Sequence, residues 1–160
     1  MNTATMKKVL TLCIVHQHPM VLLGMKKRGF GAGKWNGFGG KGEPGETIEE
    51  AARREVKEEA GIEVSSLEKH GVLEFEFAGN PEVLEVHVFR TEHFDGQPEE
   101  SDEMRPQWFN VDELPFPSMW PDDPHWFPLF LEKKKFTGKF LFDHDNALIR
   151  HELKEAQGVA

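Results

Sequence analysis

Three carboxylates in the run Arg54-Glu55-Val56-Lys57-Glu58-Glu59 are spaced to do chemistry together. If the run is helical, steps of about 100° put Ile48, Ala51, Ala52 and Val56 on one apolar arc. Glu55 and Glu59 fall in the middle of that arc, and Glu58 at its edge. A helix burying this face aims acidic groups at the interior or at a cleft, where unpaired charge is costly. Arg54, one step round, can pair with Glu50 or Glu58, but one guanidinium cannot neutralise the set. A hard divalent cation can, because Mg²⁺ takes oxygen ligands and joins a few carboxylates to substrate phosphates. A solvated acidic helix laced by i,i+4 pairs is the alternative, and it does not explain why the carboxylates share the apolar face.

Something must hold those carboxylates in place. Thr47 and Glu50 form a T-x-x-E capping box, alanines and charged residues follow, and Gly61 can end the helix in the left-handed conformation. Ahead of it, Lys26 to Gly45 is a glycine-rich loop carrying Lys26, Phe30, Trp35, Asn36 and Phe38. Gly37 to Gly42 matches G-x-G-x-x-G, but Pro44 and Gly45 separate it from the helix, which a dinucleotide fingerprint does not allow. A Walker A reading fails as well, because Trp35 occupies the first glycine position and Gly42 follows Lys41. The loop still offers backbone N–H groups and lysines beside a helix start, an environment suited to phosphates.

The remaining segments read as a sheet and a second helix. Val9–Val15 and Met20–Met25 are predicted strands joined by a turn over His16–Pro19. His70–Ala78 alternates, with Leu73, Phe75 and Phe77 on one face and Glu74 and Glu76 on the other. Gly79-Asn80-Pro81 turns the chain, and Val83–Thr91 returns as the partner strand. An acidic loop follows to Pro106, then a short strand over Gln107–Val111. Asp122, Asp123 and Pro124 mark the start of a helix running to about Lys133, with strands over Phe136–Phe142 and Leu148–Leu153. Residues 1–8 and 154–160 read as loosely ordered ends of a single domain spanning 1–160.

A chain of 160 residues suffices for one well-buried domain. A net charge of −9 argues against nucleic-acid polymers or anionic membranes as partners. A polyanionic small molecule could enter an acidic site only with metal ions. The single cysteine, Cys13, excludes an intrachain disulfide and fits a reducing compartment. Zinc at Cys13, His16 and His18 would lack a second ligand cluster. Val9–Val15 is too short to span a bilayer, and no small-residue cleavage site follows it. The expectation is a soluble, cytoplasmic monomer, with a nuclear or mitochondrial pool as a secondary expectation.

The run from Gly40 to Ile62 resembles, position for position, the Nudix box: Gly, five residues, Glu, seven residues, then Arg-Glu-apolar-x-Glu-Glu-x-Gly-apolar. This resemblance implies an α/β fold, an α/β/α sandwich with a central mixed sheet. It also implies Mg²⁺-dependent, or Mn²⁺-dependent, hydrolysis of a nucleoside diphosphate linked to another moiety. Glu55, Glu58 and Glu59 would be its metal-binding and catalytic glutamates, with the Gly39 carbonyl as a further ligand. The runs Val21–Gly33, Glu100–Pro106 and Met119–Asp123 resemble the branch of that family that hydrolyses oxidised purine nucleoside triphosphates in animals. That likeness implies 8-oxo-dGTP and 2-hydroxy-dATP as substrates, and O6-methyl-dGTP and N6-methyl-dATP as secondary ones. Carried over residue by residue, it puts Thr11, Asn36, Trp120, Asp122 and Asp123 around the base, walled by Phe30, Phe75 and Phe77. Lys26 would contact substrate, and Glu103 would be a metal-linked carboxylate outside the box. Phe38, Gly39, Gly40, Lys41, Leu84, Pro121 and Trp126 complete the candidate substrate-binding set. Leu84 departs from the pattern, standing where relatives carry methionine.

The residue chemistry bears on these roles independently. Trp120 offers a flat surface for purine stacking. Two adjacent carboxylates in a dry pocket resist joint ionisation, so one can hold a proton and the pair can present one donor and one acceptor. Asn36 presents both from one amide. The structural alternative makes Asp123 an N-cap and Trp120 core packing. Two functional alternatives remain: a Nudix hydrolase for ADP-ribose, dinucleoside polyphosphates or capped RNA, and a silent nucleotide-binding protein. The second would be expected to lose box carboxylates, and all are present.

Overall fold

The computed structural model describes residues 6–158. Among them, β1 (Met6–Gln17) and β2 (Met20–Lys26) form an antiparallel pair, and β3 (Trp35–Asn36) continues from β2. The helix α1 (Ile48–Ala60) follows, then β4 (Glu63–Val64), β5 (Glu68–Phe77), β6 (Glu82–Thr91), β7 (Phe94–Asp95) and β8 (Met104–Asn110). Two single-turn 3-10 helices precede α2 (Asp123–Leu131), and β9 (Lys135–Phe142) and β10 (Leu148–Ala156) close the chain. The main sheet runs β10-β9-β5-β6-β1-β2-β3, with β8 also pairing β2. It is mixed: β1 runs parallel to β6, and β5 runs parallel to β9.

The sheet separates two apolar cores, one under each helix. Cys13, Val15, Leu22, Phe38, Val56, Ala60 and Ile62 pack beneath α1. On the other face Ile14, Leu73, Val86, Trp126, Phe136 and Phe140 pack with α2. The strands deliver this by alternation: Leu73, Phe75 and Phe77 join the α2 side, as their spacing requires. The result is an α/β/α sandwich. Among the described residues no helix is long and apolar enough to cross a membrane.

Several boundaries differ from the sequence reading. β1 begins at Met6, since its pairing with β6 starts at Met6 opposite Glu82, so residues 6–8 are strand. β10 reaches Ala156, because Lys154 to Ala156 pair with Lys135 to Thr137. The first five residues and the last two lie outside the described residues. β8 starts at Met104, where it meets Lys26 across β2. α2 stops at Leu131, and Lys133 then turns the chain with a φ of 62°.

Candidate active site

α1 is capped as its sequence dictates. Thr47 Oγ1 accepts from Glu50 N–H at 3.1 Å, Glu50 accepts from Thr47 N–H at 3.3 Å, and Gly61 closes the far end with a φ of 72°. The helix thereby presents Glu55 and Glu59 to the loop Gly37–Gly42. Glu59 is buried, and its Oε1 accepts from Gly39 N–H at 2.8 Å. Burial, reinforced by the Glu55 charge, pushes its carboxyl up to about 8 against the hydrogen bond from Gly39. Glu55 is also raised, mainly by burial, although Arg54 contacts it at 2.9 Å. Arg54 gathers more partners than the sequence indicated. It donates to Glu46 at 2.7 and 3.0 Å, to Glu58 at 3.2 Å and to the Lys41 carbonyl at 3.1 Å, while Glu50 serves the cap instead.

The loop glycines make room for these carboxylates. A Cβ on Gly39 would stand 1.8 Å from the Thr11 carbonyl oxygen, and one on Gly40 would stand 2.9 Å from the Glu55 carboxyl carbon. The loop is held by Thr11 N–H donating to the Gly40 carbonyl and by reciprocal bonds between Cys13 and Phe38. These contacts press the backbone against the glutamates. Among the described residues no three acidic, histidine or cysteine side chains already converge on one point. The donor set nevertheless suits a hard cation that keeps open positions: two carboxylates raised by burial, a lined backbone, and room for a substrate's own oxygens.

A second cluster lies at the other end of the same cleft, a cavity of about 220 Å³ lined by Glu59, Gly39, Gly40 and Lys26 and by Asn36, Trp120, Asp122 and Asp123. Asp122 takes the N-cap position of α2 but makes no cap bond with its side chain; its Oδ2 accepts from the Trp126 indole N–H at 2.8 Å. Asp123 is the first helical residue, and its Oδ2 is buried with no partner among the described residues. Burial raises both carboxyls, Asp123 well above the ordinary range with a further push from the Asp122 charge. The N-cap alternative for Asp123 therefore fails. Asn36 Oδ1 accepts from Gly37 N–H at 2.8 Å, and the residue lines the cleft. Trp120 packs near Phe30 at 5.1 Å between ring centres and edge-on to Phe77 at 6.3 Å. Phe30 is 65% exposed and forms the rim.

Of the predicted residues, Thr11, Phe75, Phe77 and Leu84 also line this cleft. Phe38 does not. Its backbone pairs with Cys13, so its ring turns to the opposite face and is buried beneath α1. Lys41 is exposed and lines a separate groove beside the start of α1. Trp126 is fully buried and reaches the cleft only through Asp122. Pro121 is half-buried between Trp120 and Asp122. Glu58 is exposed on Arg54, and Glu103 is held by Arg28 at 2.8 Å, outside the cleft lining. The sequence reading missed Phe142, which stacks on Phe77 at 5.3 Å and meets Trp120 edge-on. Its place in the period-2 pattern of β9 was the available signal. It also missed Lys34, whose ammonium stands 5.4 Å from the Trp120 ring centre.

Comparison with known proteins agrees with this architecture. The NUDIX domain model matches residues 6–130. The chain is 57% identical to the oxidized purine nucleoside triphosphate hydrolase of Danio rerio, over 95% of this chain and 97% of that protein. It is 55% identical to the protein of the same name from Mus musculus, over 92% and 95% of the two chains. Its fold is similar to the crystal structure of the MutT protein from Bacillus halodurans, with a TM-score of 0.82, 30% identity, and coverage of 91% and 97%. Hydrolases of this family generally use a divalent metal, which the buried glutamates beside the Gly39 loop would accept. A capped acidic helix, a glycine loop that yields to it and relatives alike along almost the whole chain lead to one assignment: this chain belongs to the Nudix hydrolase family.

Proposed function

We propose that this protein hydrolyses oxidised purine nucleoside triphosphates, 8-oxo-dGTP and 2-hydroxy-dATP first among them, to the monophosphate and pyrophosphate. The observation that carries this reading is a single cleft with Glu59 at one end and the Asp122–Asp123 pair at the other. In it the purine stacks on Trp120, and the two aspartates share one proton and so offer one donor and one acceptor to the base edge. Such a pair accommodates either the lactam edge of 8-oxoguanine or the edge of a modified adenine. The same tolerance extends to O6-methyl-dGTP and N6-methyl-dATP. Asn36 adds amide donors, and Lys26 meets the negative charge of the phosphates.

At the other end, Glu55, Glu58, Glu59 and the Gly39 carbonyl are the proposed ligands for Mg²⁺, with Mn²⁺ as a substitute and Glu103 as an outer carboxylate. When bound, the ion neutralises charge on the phosphates and lowers the pKa of an attacking water. The glutamates hold that water in line, and one of them takes its proton. Arg54 keeps Glu55 and Glu58 oriented from the side. We place this activity in the cytoplasm in a monomeric protein, a reading supported by the buried, reduced Cys13.

The test is release of the nucleoside monophosphate from 8-oxo-dGTP, 2-hydroxy-dATP, O6-methyl-dGTP, N6-methyl-dATP, dGTP and ADP-ribose (as AMP), side by side with Mg²⁺. The oxidised purines should lead. Preference for ADP-ribose over every modified purine triphosphate would overturn the proposal.

A further inference from the structure

Arg90 is a buried guanidinium that the reaction does not use. It projects from β6 on the α2 side of the sheet and is 3% exposed. Among the described residues its nearest carboxylates, Glu68 and Glu92, act on it through space rather than as ion-pair partners. Its three nitrogens each donate elsewhere. Nη2 donates to the Phe130 carbonyl in the last turn of α2, Nη1 to His16 Nδ1 on β1, and Nε to His70 Nε2 on β5 at 3.3 Å. The guanidinium also lies 4.3 Å from the Phe130 ring centre. A buried cation beside a helix C-terminus is favourably placed, since it meets both a last-turn carbonyl, which also accepts from Lys133 N–H, and the negative end of the helix dipole.

This arrangement fixes the proton positions on both histidines. His70 Nδ1 faces the Lys134 carbonyl at 3.0 Å and must carry the hydrogen there, leaving Nε2 as the acceptor for Arg90. His16 Nε2 faces His18 Nδ1 at 3.4 Å, leaving Nδ1 to accept from Arg90. Both rings must therefore be neutral. A second partner competes for His70: Glu68 Oε1 lies 3.1 Å from the same Nε2, and it is satisfied only when that nitrogen is protonated. Neutral His70 serves Arg90, and protonated His70 serves Glu68. The other charged groups nearby are Lys133 and Glu92 around His16, and Lys135 around His70.

We infer that Arg90, His16 and His70 form a proton-releasable anchor for α2, and that Arg90 is thereby a positioning residue for base recognition. α2 is a nine-residue helix, roughly 13 Å from end to end. Its N-terminal end carries Asp122 and Asp123, and its C-terminal end rests on this cluster. Protonation of either imidazole removes an acceptor from Arg90 and sets two cations side by side in a dry site. The Phe130 carbonyl then loses its hold, while His70 Nδ1 keeps the Lys134 carbonyl, and the helix tilts at the opposite end. The consequence for the base rests on the functional reading proposed above, but the anchor itself does not.

The test measures amide hydrogen exchange at Glu132, Lys133 and Lys134, divided by the intrinsic rates, at pH 7.5 and pH 5.0. It uses the wild type and the variant His16→Leu/His70→Leu/Arg90→Met, which removes every titrating member and leaves no buried charge to unfold the chain. Wild-type protection should fall at least about tenfold at pH 5.0, and that of the triple variant should not respond to pH. In Arg90→Met alone, KM for 8-oxo-dGTP should rise several-fold while kcat stays within about twofold. Wild-type protection that ignores pH would overturn the anchor, and an unmoved KM would overturn its link to the base. A protein with the pH-dependent protection but no activity on any purine triphosphate would uphold the anchor and retract the functional reading.

Discussion

Replacing Glu59 by Gln should abolish turnover and, in the absence of metal, make the protein more stable. The glutamate is raised from 4.5 to about 8 in the folded protein, chiefly because it is buried. Folding thus keeps a proton that the unfolded chain releases above pH 4.5. Stability present below that pH is lost progressively as pH rises to about 8. By pH 7 the interval covers about 2.5 pH units, a penalty of roughly 3 kcal/mol. Gln has the shape of the protonated acid and still accepts the Gly39 N–H, so it avoids the whole penalty. Differential scanning calorimetry in EDTA should show the variant melting roughly 6–12 °C higher at pH 7. The gap should shrink to about 1 kcal/mol or less at pH 5 and widen toward pH 8. The raised aspartates contribute equally to both proteins and cancel in the difference. Mg²⁺ or Mn²⁺ should narrow the gap by stabilising the wild type alone. A gap that does not change with pH, or a variant that melts lower, would refute the view that this carboxylate is held protonated in wait for a cation.

Three further substitutions, and Gly42→Ala as a control, test the other parts of the cleft. Asp123→Asn fixes the proton pattern of the aspartate pair, and kcat/KM for 8-oxo-dGTP should fall roughly 10- to 100-fold, as for an unpaired polar edge. Unchanged kcat/KM in steady-state assays would count against base reading by this pair. Trp120→Ala removes the stacking surface and should cost about 1–3 kcal/mol of nucleotide binding, read as a higher KM with a smaller change in kcat. Gly39→Ala drives a Cβ to 1.8 Å from the Thr11 carbonyl and should lower the melting temperature sharply, whereas Gly42→Ala meets only the Ala51 methyl at 3.6 Å and should melt like the wild type.

Local chemistry in this chain is legible from the sequence, and distant pairing is not. The capping box at Thr47, the left-handed stop at Gly61 and the alternation of Leu73, Phe75 and Phe77 are each decided by residues within a few positions of one another. The inward aim of Glu55 and Glu59 followed from periodicity alone. Parallel pairing of β1 with β6 depends on segments some 75 positions apart, and no local signal encodes it. The two-residue strands β3, β4 and β7 are too short to carry a period. Phe38 stands among candidate ligands in the chain, yet its bonds to Cys13 send it to the opposite core. The Arg90 cluster was equally hidden, because His16, His70 and Arg90 meet only through the register of three strands.

The cleft is assembled from pieces of chain that share few residues. Glu55 and Glu59 belong to α1, whereas the walls around Trp120 come from α2, the rim at Phe30 and the Phe142 end of β9. In the proposed function, drift in the second group would alter which purine is accepted while the cleavage apparatus stays intact. Leu84, which lines the cleft, is such a drift point in that proposed function: its substitution would retune selectivity without touching an ion-holding group. The same division means that Phe142, beyond the NUDIX match, would carry part of the base selectivity proposed above. A chain cut at residue 130 would keep its acids and lose Phe142 from the cleft wall.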